Sequence, residues 1–198
     1  MQTYDAALSL RDARTRYFEL NGFDNGGYEE RWVKMKAGPF PIAFPNTRAR
    51  LRAVKFHDLH HVLTEYETTW SGEAEIGAWE IATGCAHHYP AWLLNFFAFA
   101  IGLVISPRRV YEAFVRGRQS SNLYRMTFSE ELLSENVGIV REQLHLDKRV
   151  RPASAIDKVA FAFWAWVSIA VQAGATAVMM MPFIVVLVLI VWAATRWL

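Results

Sequence analysis

The sequence predicts an all-α protein in two parts: a helical domain over residues 1–150 and a C-terminal membrane hairpin of two helices over 151–198. Three observations lead there. Apolar residues recur at helical spacing through most of the first 150 positions, turn-forming residues close those stretches, and charge nearly vanishes at the C-terminal end. The chain has 198 residues, with 21 Lys and Arg, 19 Asp and Glu and a formal net charge of +2. Only Arg196 among the charged residues lies beyond 158.

Residues 4–20 read as the first helix, with Leu8, Leu10, Ala13, Tyr17, Phe18 and Leu20 as an apolar face. Asn21-Gly22 and Asn25-Gly26-Gly27 end it. Residues 28–36 are ambiguous between helix and strand. Pro39, Pro41 and Pro45 make 37–46 irregular and extended. A helix over 47–65 follows, capped by Asn46 or Thr47. Trp70-Ser71-Gly72 is a break, and 72–84 the next helix. The run 91–105 carries no charge but is too short to span a bilayer, so it reads as a buried helix. Pro107 opens the element 107–119. Ser129 caps a helix over 129–140, with Glu130 and Glu131 in its first turn. Residues 145–156 read as a charged linker.

From 159 to 195 there is no Asp, Glu, Lys or Arg. One helix of that length would reach about 55 Å at 1.5 Å per residue, well beyond a hydrocarbon core of about 30 Å. Gln172, Gly174, Thr176 and Pro182 interrupt the middle. Hence the hairpin, with arms near 157–175 and 179–197. Trp164, Trp166, Trp192 and Trp197 sit near the ends of the arms, where indoles favour the interface. Lys148, Arg149, Arg151 and Lys158 precede the segment, and basic flanks are retained inside. A hairpin would place Arg196 on that same side. The N-terminal residues Met1-Gln2-Thr3-Tyr4-Asp5 have no signal-sequence pattern. The expected location is a membrane, with the helical domain on its cytoplasmic or matrix face.

The charge balance argues against a nucleic-acid partner, and the apolar content against disorder. One cysteine, Cys85, excludes an intramolecular disulfide and a cysteine-rich zinc site. It reads as a small buried hydrophobe.

The chemistry concentrates in His57-Asp58-Leu59-His60-His61, followed by Glu73. On a helix His57 and His61 project from one face, and Asp58 lies on an adjoining one. The turn at 70–72 allows a second helix to bring Glu73 back. Two imidazoles and two carboxylates suit a divalent zinc, iron or manganese ion. His57, Asp58, His61 and Glu73 are therefore the expected metal ligands, which makes the first 150 residues a helical metal-binding domain. The bland alternative is a solvated polar helix face. His60 reads as structural or solvent-facing, and His87 and His88 as capping or surface residues. A phosphohydrolase built on the His-Asp pair would need further ligands, and His145 and Asp147 lie in the linker.

These residues resemble a known family. His57-Asp58-Xaa-Xaa-His61, eleven residues and then Glu73 looks like the signature of the ubiquinone (coenzyme Q) biosynthesis family of the Coq-four type. Similarity extends through Asn21-Gly22-Phe23, Phe44-Pro45-Asn46-Thr47, Tyr66, Gly72-Glu73-Ala74-Glu75 and Trp79-Glu80, and covers roughly residues 15–120. The resemblance implies a helical fold, a divalent metal usually taken as zinc, and a hydrophobic pocket for a polyprenylated ring. It also implies oxidative decarboxylation at the ring carbon bearing the carboxyl group, and association with other ubiquinone-biosynthesis enzymes. Thr69 departs from the Asp that many members carry there. The C-terminal hydrophobic segment is also atypical.

Two functions follow as expectations. One is a membrane-anchored enzyme in which Glu73 and His61 are catalytic. Its substrate would be a polyprenylated quinone precursor, with Phe97 lining the tail groove and Arg108 and Arg109 meeting an anionic group of the ligand or of membrane lipid. The other is a lipid-binding scaffold without turnover. A homodimer stays open at this point.

Overall fold

The computed structural model describes residues 3–37 and 40–197, and their side chains except at 34–37, 40–42 and 197. Met1, Gln2 and Pro39 of the sequence reading lie outside the described residues. The elements in order are α1 Leu10–Asn21, β1 Trp32–Ala37, β2 Phe40–Pro45, α2 Arg48–Thr64, α3 Trp70–Thr83, α4 Tyr89–Ile105, α5 Pro107–Gly117, α6 Glu130–Ser134, α7 Val137–Gln143 and α8 Ala155–Trp197. The fold is mainly helical, as expected.

Local chemistry accounts for the helix starts. Ser9, Thr47, Thr69 and Ser129 each accept a backbone N–H from the first turn of α1, α2, α3 and α6. The capping by Thr69 starts α3 two residues before the expected 72. The stretch expected as one helix over 129–140 is two, because Ser9 forms a bridge with Asn136 and Leu10 N–H donates to Glu135 C=O at 2.8 Å.

The extended stretch before α2 is a strand. β1 and β2 pair antiparallel, with Trp32 opposite Pro45 and Ala37 opposite Phe40. Proline is tolerated because a two-stranded ribbon has only edge strands. Asn46 ties the ribbon down: its Nδ2 donates to the carbonyls of Gly27 and Glu30 at 3.1 and 3.0 Å.

The core gathers Trp79 of α3, Phe99 of α4, Phe114 of α5 and Tyr124 beyond it, all fully buried. α3 packs against both α4 and α5. Glycine permits that closeness: a Cβ on Gly102 would lie 2.5 Å from those of Ala74 and from Val110 Cγ2, and one on Gly117 would lie 2.7 Å from Trp79 C=O.

The C-terminal hairpin is corrected. α8 is one helix of 43 residues, about 64 Å long, with Pro182 inside it. Thr176 Oγ1 donates to Gln172 C=O at 2.9 Å, so the polar residues expected to break the helix are satisfied within it. Where water is absent, an opened backbone leaves unpaired N–H and C=O groups, and a continuous helix avoids that cost. The first half of α8 packs on the domain. Trp164 stacks on Trp92 and Phe96 of α4, with ring centroids 5.3 and 5.9 Å away, and Phe161 meets Phe99, Tyr111 and Phe114. Trp164 is thus a contact with the domain rather than an interfacial indole. Residues 176–196 are exposed throughout and about 31 Å long, one hydrocarbon thickness. α8 is long and apolar enough to cross a membrane. As a single helix it puts Arg196 at the end opposite Lys158, not beside it.

Candidate metal centre

α2 and α3 carry the site. His57 and His61 stand one turn apart on α2, and Glu73 lies in the first turn of α3. Gly72 makes the approach possible, because a Cβ there would fall 2.0 Å from Glu67 C=O. The two Nε2 atoms are 3.2 Å apart. Glu73 Oε2 is 3.5 Å from His57 Nε2, and Oε1 is 3.4 Å from His61 Nε2. With one ligand atom from each residue, the three lie within 4.8 Å of one another, close enough to face a single ion. His57, His61 and Glu73 are a cluster that can hold a metal ion.

Both imidazoles are oriented from behind. His57 Nδ1–H donates to Glu80 Oε1 at 2.9 Å, and His61 Nδ1–H to Tyr66 C=O at 2.9 Å. A carboxylate and a carbonyl only accept, so each Nδ1 carries a proton and both Nε2 atoms face the site. Tyr17 stacks on His61, with centroids 5.4 Å apart and planes 18° from parallel. Two lone pairs 3.2 Å apart repel unless a cation or proton lies between them. The 3.2 Å contact is satisfied by a proton on one Nε2 or by a metal ion in its place, and the cluster could hold a metal ion.

The electrostatics agree. Burial lowers the His57 pKa, but the Glu80 and Glu73 carboxylates outweigh it and hold the imidazole well above its ordinary value. Burial raises Glu73, yet His61 and His57 pull it well below the usual carboxylate range. Each group favours a positive charge at the centre.

Glu80 is the residue that reading for ligands missed. It is fully buried and fully satisfied: His57 and His60 donate to Oε1, and Tyr124 and Asn95 to Oε2. Burial pushes its pKa up, but His57 and His60 more than reverse this and hold it well below the ordinary range. One signal was available. Glu80 lies seven residues after Glu73, two helical turns on, and so shares its face of α3. Tyr66 contributes a backbone carbonyl, for which a sequence carries no mark.

The other expected residues are placed as follows. Asp58 is buried beside the cluster but outside it, and its Oδ2 accepts from Tyr28 O–H at 2.6 Å. His60 is wholly buried and structural, accepting the Leu123 N–H at Nε2 at 3.0 Å. His87 is exposed, and His88 is buried between it and Tyr124. Cys85 is buried, as expected. Phe97 is half-buried on α4. Arg108 points outward and pairs with Glu112 at 2.9 Å. Arg109 pairs with Glu75 at 2.6 Å and lines a cavity of about 930 Å³ with Tyr66, Arg116, Arg149, Arg151 and Lys158.

Comparison with protein-family models, with curated proteins and with solved structures gives no match.

Proposed function

We propose that this chain is a membrane-anchored protein of ubiquinone biosynthesis that binds a divalent metal, zinc in first place and iron or manganese otherwise, and a polyprenylated quinone precursor. The reaction proposed is oxidative decarboxylation of the precursor's ring. One observation carries the reading: three donors spaced for one metal ion lie in a domain fastened along an apolar helix longer than a bilayer. The motif resemblance supplies the substrate class.

A divalent ion there would act as a Lewis acid on a ring hydroxyl or carboxyl oxygen. His57 and His61 hold their Nε2 atoms in place through Glu80 and Tyr66. Glu73 is the member of the cluster that a substrate reaches, with 38% of its side chain exposed. Glu73 either ligates the ion or, where it stays out of coordination, exchanges a proton with the ring hydroxyl. Dioxygen or another external acceptor takes the electrons. Exposed Leu93, Leu94, Val104 and Ile105 on α4 give a prenyl tail an apolar route from the bilayer. The domain sits on the cytoplasmic or matrix face, with Lys158, 18 residues before the exposed stretch 176–196, near enough to favour that side.

The test is elemental analysis of the purified full chain in micelles, then incubation with a prenylated, carboxylated hydroxyarene under air. One metal per chain and loss of the carboxyl group as carbon dioxide are expected, both abolished by His61→Ala. Binding of metal and substrate without turnover assigns the scaffold role instead. Full turnover by verified metal-free protein overturns the reading.

A further inference from the structure

The segment between α7 and α8 carries Lys148, Arg149 and Arg151, and by sequence it is only a charged linker. The fold holds it in place. The Gln119 side chain, just past α5, grips the Arg151 backbone at both of its polar atoms. Its Oε1 accepts the N–H at 2.8 Å, and its Nε2 donates to the C=O at 2.9 Å. Asp157 Oδ2 then accepts the Ser154 N–H at 3.0 Å, and Asp157 Oδ1 accepts from Arg118 at 3.2 Å. These bonds offset the entropy of fixing a connection that would otherwise move freely.

The clamped segment forms one wall of the cavity of about 930 Å³, facing α3 and α5. Five cations line it: Arg109, Arg116, Arg149, Arg151 and Lys158. Its two carboxylates are already taken, Glu75 by Arg109 at 2.6 Å and Glu112 by Arg108 at 2.9 Å. None of the ion pairs among the described residues uses Arg116, Arg149, Arg151 or Lys158. Arg116 is set by other means: Nη1 donates to Thr64 C=O at 2.9 Å, and the guanidinium lies 5.4 Å from the centre of the Tyr66 ring. A second cavity of about 310 Å³ shares Arg116, Arg149 and Arg151 and adds Lys148. Four cations thus gather at one hollow without a carboxylate partner of their own. Such crowding is unfavourable until an anion enters. The guanidinium fork matches phosphate oxygens two at a time.

We propose that this cavity binds a soluble organic diphosphate. None of His57, His61 and Glu73 lines it, so the site adds to the metal centre. Its lining holds three more cations than carboxylates. A phosphate ester carries about −1.5 to −2 at neutral pH, so two linked phosphates, not one, take up that excess. Tyr66, Tyr111 and Val150 supply apolar surface for the organic part. The ligand comes from solution because Lys158 stands 18 residues before the exposed stretch 176–196, about 27 Å along α8. Lipid headgroups extend only about 5–8 Å beyond the hydrocarbon. This choice of source rests on α8 spanning at 176–196, which carbonate extraction tests separately.

Calorimetric titration of the full chain in neutral-detergent micelles with inorganic pyrophosphate is the test. One pyrophosphate per chain is expected, bound at least about 10-fold more tightly than orthophosphate, the gain from one further charge-assisted contact. Arg149→Gln with Arg151→Gln should weaken it by at least the same factor. Gln119→Ala keeps every charge and frees the segment, and should weaken binding about 5-fold or more. Arg48→Gln with Arg125→Gln removes two exposed cations away from the cavity and should change nothing. The thermal midpoints of all these variants should match the parent's. No binding by the parent, or equal weakening by the two arginine pairs, would overturn the proposal. Displacement of pyrophosphate by phosphatidic acid in nanodiscs would also overturn it and give the cavity to a lipid headgroup.

Discussion

Glu80 Oε1 accepts the Nδ1 proton of His57 at 2.9 Å from a position with no exposed surface. The bond turns His57 Nε2 toward His61 and Glu73. Glu80→Gln keeps the shape but removes the charge and one acceptor oxygen. Metal affinity should fall about 10–100-fold, the usual effect of losing an orienting carboxylate behind a ligating imidazole. Competition against a chromophoric chelator measures it. Unchanged affinity would mean that packing alone orients His57.

Gly72→Ala should disturb the same site from the other helix. The new Cβ would lie 2.0 Å from Glu67 C=O, a backbone atom that cannot swing aside. The first turn of α3 must shift, and Glu73 moves with it. A destabilisation of about 1–3 kcal/mol is expected from such overpacking. Thermal unfolding would show the lower midpoint, and metal titration a weaker site. A variant as stable and as metal-tight as the parent would show that the turn yields freely.

Cys85 gives a pH signature. Burial, and then the nearby Glu80 carboxylate, push its thiol well above the ordinary value. At pH 8 the folded protein should therefore resist a thiol reagent such as DTNB that labels the unfolded chain at once. The linked effect on stability has a definite sign. The folded state holds the proton more tightly, so nothing is lost below the unfolded pKa of about 8.5, and stability declines as pH rises above it. Denaturant titrations between pH 8 and 9.5 should show that decline, and Cys85→Ala should flatten it. A parent chain labelled rapidly while folded contradicts the burial.

Val186→Arg tests the span. Position 186 is the midpoint of the exposed stretch 176–196. An arginine at the centre of a spanning helix costs about 2.5–3.5 kcal/mol of insertion free energy. The fraction of chain resisting carbonate extraction should drop, whereas Ile156→Arg, at the far end of α8, should leave it unchanged. Equal loss in both would place the bilayer elsewhere along the helix.

Much of the architecture was legible because it is written in local patterns. Thr47 and Ser129 marked helix starts, Pro107 opened α5, and Gly84 closed α3. The His57–His61 pair and Glu73 were legible for the same reason: four residues apart is one helical turn, and a turn at 70–72 returns the chain. Asp58 followed the pattern equally well, yet Tyr28, thirty residues earlier, occupies one of its oxygens. Glu80 was visible only as a carboxylate two turns after Glu73 on the same helix. Its partners His57, His60, Asn95 and Tyr124 come from three other parts of the chain, and no spacing rule links them.

By itself the sequence determined a helical domain, a pair of imidazoles with a carboxylate to meet them, and an uncharged C-terminal segment. Those are properties of periodicity and composition, set by neighbours within a turn or two. Tertiary structure decided that residues 32–37 and 40–45 pair as a ribbon and that Glu80 stands behind His57. It also decided that the C-terminal segment is one helix rather than two. The physical reason is the same in each case. A strand needs a partner for its backbone bonds, a buried carboxylate needs donors, and Trp164 prefers the faces of Trp92 and Phe96 to an interface. Each choice depends on groups distant in sequence that only the folded chain brings together.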